Sequence, residues 1–74
     1  MMGRIHYDVT RHGAGWRVQT SGYACECANQ LEAVLCALVM AKQLWESLHA
    51  PTGVRVRLDD GQWREARAFG AETD

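Results

Sequence analysis

The stretch NQLEAVLCALVMAKQLWESLHAP, residues 29–51, decides the architecture. Asn29 stands three positions ahead of Glu32, a variant of the capping box whose first residue is normally Ser or Thr. No glycine or proline interrupts the chain from there to Pro51 and Gly53, which stop a helix at about His49. The spacing predicts one helix over about 30–49 as the central element.

At about 100° per residue, Glu32, Lys42, Gln43, Glu46 and Ser47 gather on one side of this helix. Leu31, Val34, Leu35, Ala37, Leu38, Ala41, Leu44, Trp45 and Leu48 occupy most of the rest. A helix lying on one small sheet needs an apolar arc of only about 100°. The flank carrying Ala33, Met40 and Leu44 therefore lacks cover within its own chain. That predicts a two-fold homodimer or a docking surface for another protein. The competing expectation is that residues 23–28, where no period shows, fold over the flank as a connection.

Outward from the helix, Ile5, Tyr7 and Val9 alternate with His6, Asp8 and Thr10, the period of a strand with one buried face. A glycine-rich loop over 11–15 leads to Trp16 and Val18, which alternate with Arg17 and Gln19. Beyond the helix, Val54, Val56 and Leu58 alternate with Arg55 and Arg57, and Asp59-Asp60-Gly61-Gln62 makes a turn into a last strand. The expected strands are about 5–10, 16–20, 54–58 and 63–69. The expected fold is α+β, a single ββαββ domain over 1–74, with the helix on one face of a four-stranded antiparallel sheet of order 2-1-3-4.

At 74 residues there is room for one modest core, so self-association, a metal or disulfides would each add needed support. Net charge is -1, which removes any global attraction for nucleic acid or an anionic membrane. No stretch near Met1 to His6 resembles a signal peptide and none reaches the roughly 20 apolar residues of a membrane span, so no membrane association and a cytoplasmic location are expected. Cys25, Cys27 and Cys36 are an odd number and match no disulfide framework. They also fall short of the paired, widely separated knuckles of zinc sites, so no metal is expected and two small buried or interfacial residues explain Cys25 and Cys27. Asp59-Asp60-Gly61 lacks the later ligands of a calcium loop.

His6 falls on the polar side of a strand, His12 in a loop and His49 at a helix end, and no nucleophile motif accompanies any of them. No catalytic residue and no cofactor are expected. Arg17, Arg55 and Arg57 share the outward parity, and Trp63 joins them if its strand turns it outward. Such a face would track phosphates through arginine and stack bases on tryptophan. Otherwise it is a solvated face balanced by Asp8 and Glu65.

Tyr7-Asp8-Val9, Gly15-Trp16-Arg17-Val18, Glu32-Ala33-Val34 with Ala41, Pro51-Thr52-Gly53-Val54-Arg55-Val56, and Asp60-Gly61-Gln62-Trp63-Arg64-Glu65 with Phe69-Gly70 together span nearly the whole chain. In these features the chain resembles the bacterial family known as domain of unknown function 2188. The resemblance implies the ββαββ fold and carries no catalytic or binding residues with it. Cys25-Glu26-Cys27 departs from the family pattern, which is more often polar or aromatic there. The leading expectation is a non-enzymatic protein-interaction module, homodimeric. One alternative is a small nucleic-acid binder using Arg17, Arg55, Arg57 and Trp63. Another is a phage or mobile-element inhibitor that docks on a bacterial defence or regulatory complex.

Overall fold

Three strands precede the helix and two follow it. The computed structural model describes residues 3–70 and contains β1 (Ile5–His12), β2 (Gly15–Thr20), β3 (Tyr23–Cys27), α1 (Gln30–Leu48), β4 (Thr52–Arg57) and β5 (Trp63–Phe69). They form one five-stranded sheet of order β3-β2-β1-β4-β5, with α1 across one face. The α+β class and the neighbour order of β2, β1, β4 and β5 agree with expectation. The number of strands and one of their directions do not.

β3 is the added strand, and it occupies the stretch that looked like a connection. It pairs antiparallel with β2, Val18 opposite Cys25 and Thr20 opposite Tyr23. One more strand before the helix reverses the direction of everything after it. β4 consequently runs parallel to β1, with Tyr7 beside Val54, and the sheet is mixed rather than antiparallel. Since β3 and β4 then point the same way, α1 becomes the crossover that joins parallel strands, passing over β2 and β1.

The helix begins where its cap dictates. Asn29 has extended backbone, its Oδ1 accepts from the Glu32 amide at 2.8 Å, and Glu32 Oε1 accepts from the Ala28 amide at 3.0 Å. It ends at His49, in the left-handed region at φ 55, whose amide donates to the Trp45 carbonyl. Ala33, Ala37 and Ala41 are fully buried against Tyr7, Val9, Val18, Val54 and Val56. Three alanines in one row let the helix lie close on the sheet, and the core is accordingly thin. Thr52 is buried with them, its hydroxyl donating to the Ala41 carbonyl at 2.9 Å.

Arg4 ties the approach to β1 to the start of β4 and the end of β5: its Nη1 donates to the carbonyls of Thr52 at 2.7 Å and Phe69 at 2.9 Å, while Nη2 donates to that of Gly70 at 3.1 Å. Gly70 sits at φ 84 with the Trp45 ring 2.8 Å from where a Cβ would stand, so no other residue fits there. Between β4 and β5 the register slips by one residue. Val54 faces Arg67 but Arg55 faces Glu65, leaving Ala66 as a β-bulge.

Candidate functional site

The register of β2 with β3 sets the first cluster. Cys25 opposite Val18 and Cys27 opposite Trp16 both point to the helix side, because alternate residues of a strand share a face. Cys36, in the second turn of α1, arrives over the same strand, and the three Sγ atoms all lie within 4.8 Å of one another. All three are free and half-buried. Burial, with Cys25 and Cys36 as neighbours, pushes the Cys27 thiol up to about 11. Burial and then Cys25 raise Cys36 as well, and a hydrogen bond with Cys25 raises the Tyr23 hydroxyl. Cys27 and Cys36 are thus held as thiols at neutral pH and are poor nucleophiles. Their chemistry is that of soft ligands gathered at a sheet edge. The spacing of nine residues between Cys27 and Cys36 gives no sign of this; only the crossover brings them together.

The second surface is the uncovered face of the sheet. Parity places Arg17, Arg55 and Arg57 there as expected, and the register of β5 puts Trp63 opposite Arg57 on the same face. The Arg55 guanidinium is 4.5 Å from the centre of the Trp63 ring and that of Arg57 is 5.5 Å away. Arg55 also holds Asp8, Nε to Oδ1 at 2.6 Å and Nη2 to Oδ2 at 3.3 Å, and this hydrogen bond raises its own pKa further. Arg17 donates from Nε to Glu26 Oε2 at 2.8 Å and from Nη2 to His12 Nε2 at 2.9 Å. Glu65 lies opposite Arg55. Arg17 and Arg55 are therefore matched by carboxylates in neighbouring strands, Arg57 has the Trp63 ring opposite it, and Arg17 is set apart from the Trp63 group by Thr10 of β1.

The third surface is the helix. Ala33 corrects the expected flank: it is fully buried, because the arc that meets the sheet is centred on Ala37. Met40 and Leu44 are half-buried and line an open groove of about 590 Å³ with Tyr7, Thr20, Tyr23 and Leu48. On the other flank Leu38, Val39, Lys42, Arg67 and Phe69 line a smaller groove of about 230 Å³. The large apolar side chains left most open are Leu31, Leu35 and Val39, with relative exposures of 69, 54 and 56%, together with Leu48 at 69%. The first three are spaced at i, i+4, i+8 along the exposed side of the helix, a spacing legible in the sequence but hidden there among the many apolar positions around them.

The histidines stay apart. His12 is beside Arg17 in the first hairpin, and His49 packs edge-on against Trp45 with centroids 5.5 Å apart. Among the described residues no helix is long and apolar enough to cross a membrane. Comparison with protein-family models, with curated proteins and with solved structures finds no match to this chain.

Proposed function

We propose that this protein is a non-enzymatic interaction module that works as a two-fold homodimer through the outward stripe of α1. The observation that carries the proposal is the exposure of Leu31, Leu35 and Val39 in one row on the solvent side of the helix. A row of this kind loses free energy to water at about 25 cal/mol for each Å² of apolar surface left uncovered. Covering it with a second copy suits its symmetry. In an antiparallel helix pair whose two-fold axis passes at the level of Ala37, Leu35 of one copy meets Val39 of the other. The same axis sets Glu32 opposite Lys42, so the apolar contact is flanked by opposite charges on both sides.

A closed pair of this sort leaves the outer sheet face and its Trp63 free for a protein partner. The near balance of guanidinium and carboxylate on that face supports a protein rather than a nucleic acid as the partner, since phosphate tracking needs a surplus of positive charge. Cytoplasmic residence is part of the same proposal and suits the three free thiols.

Sedimentation equilibrium at micromolar concentration tests it. The wild type is expected at twice its 8.3 kDa chain mass, with Leu35→Glu and Val39→Lys each monomeric. Mixing those two variants is expected to restore a dimer, because the introduced carboxylate and ammonium face each other. A monomeric wild type, or a dimer indifferent to both substitutions, overturns the proposal.

A further inference from the structure

We propose that Cys25, Cys27 and Cys36 form a binding site for one soft, trigonally coordinated metal ion, monovalent copper. Two elements far apart in sequence deliver the ligands: alternate positions of the edge strand β3 supply two sulfurs to one face, and α1 lowers the third onto them. An ion with metal–sulfur bonds of about 2.3 Å in a plane holds its sulfurs about 4 Å apart. The three Sγ atoms already lie within 4.8 Å of one another, so closing the triangle requires only small rotations about half-buried side chains.

The donor set selects the ion. No histidine or carboxylate joins the three sulfurs in this cluster among the described residues. Structural zinc and iron–sulfur centres use four protein ligands, and hard cations use oxygen. Three thiolates with no fourth donor suit a soft ion content with three bonds, as copper(I) is. A disulfide would use two of the sulfurs and strand the third, and Cys25 and Cys27 stand at alternate positions of a paired strand, where joining them would bend the backbone. β3 is the edge of the sheet, so the site opens sideways to solvent, while Trp16 and Val18 back the sulfurs from the neighbouring strand. Binding exchanges three S–H protons, released to the buffer, for one copper(I) ion, with no change of oxidation state.

The test uses the full chain, reduced and under anaerobic conditions, challenged with copper(I) held by a colorimetric chelator and separately with zinc(II) held by its own chelator. The expected result is removal of one equivalent of copper(I) from the chelator, a sulfur-to-copper absorption in the near ultraviolet, and simultaneous loss of all three alkylatable thiols. Cys36→Ser is expected to lower copper affinity by roughly 100-fold or more with an unchanged far-ultraviolet spectrum. Failure to take copper from the chelator overturns the proposal. So does continued alkylation of any of the three thiols at one equivalent, unchanged affinity in Cys36→Ser, or a preference for zinc. The thiol-protection measurement needs no variant, so it stands even if a substitution disturbs folding.

Discussion

Trp63 and Phe69 lie at positions of equal parity on one strand, yet they face opposite sides of the sheet. Trp63 is stacked under Arg55 and Arg57 on the open face, whereas Phe69 packs against the core on the helix face. The bulge at Ala66 separates them, since one unpaired residue reverses the side to which everything beyond it points. A single alanine thus supplies the core with one aromatic ring and the open face with another.

Deleting Ala66 should therefore cost at least as much as Phe69→Ala, itself about 2 kcal/mol for a partly buried ring. With a regular ladder either Trp63 or Phe69 must change sides. Urea denaturation of the two variants and the wild type compares the losses, and a deletion milder than Phe69→Ala would show that the bulge does not set the register.

The bidentate contact of Arg55 with Asp8 joins the two parallel strands at the centre of the sheet. Both side chains are about a third exposed, so solvent screening limits the pair, and Asp8→Ala should cost about 1 kcal/mol. The same substitution frees Arg55 to move off the indole, and Trp63 emission should shift to the red. Unfolding curves and fluorescence spectra on one sample check both effects.

The Asn29 side chain caps α1 by accepting from the Glu32 amide. Asn29→Ala should destabilise the protein by about 1 kcal/mol, and Asn29→Asp should remain within a few tenths of wild type. Thermal unfolding followed by circular dichroism separates the two.

Cys27 predicts a loss of stability in alkali. Its thiol is raised from 9.0 to about 11 in the folded protein, so the folded state keeps the proton to a higher pH than the unfolded state does. The resulting stabilisation is complete below pH 9.0 and disappears as pH rises through about 11. Cys27→Ala should flatten that part of the pH profile of the urea midpoint; an unchanged slope between those values would locate the effect elsewhere.

Local pattern made much of this legible. The helix runs Gln30–Leu48 against an expected 30–49, because Asn29 and the Pro51–Gly53 break act within a turn of its ends, and His49 serves as its left-handed cap. The outward parity of Arg17, Arg55 and Arg57 follows from alternation alone. β3 was not legible as a strand: Tyr23-Ala24-Cys25-Glu26-Cys27 alternates, but its inward side carries one aromatic residue and two small thiols in place of branched apolar side chains. Missing it reversed the direction of β4, and Ala33 was misplaced because an apolar arc wider than one sheet leaves its buried centre undetermined.

The sequence by itself determined α1 and four of the five strands to within a few residues, since caps, turns and alternation act between neighbours on the chain. Only the tertiary structure decided that β1 and β4 run parallel, that Trp63 and Phe69 part at Ala66, and that Cys36 meets Cys25 and Cys27. Each of these depends on which strand pairs with which, and in what register. That choice is made by the packing of α1 across the whole sheet, and no local run of residues encodes it.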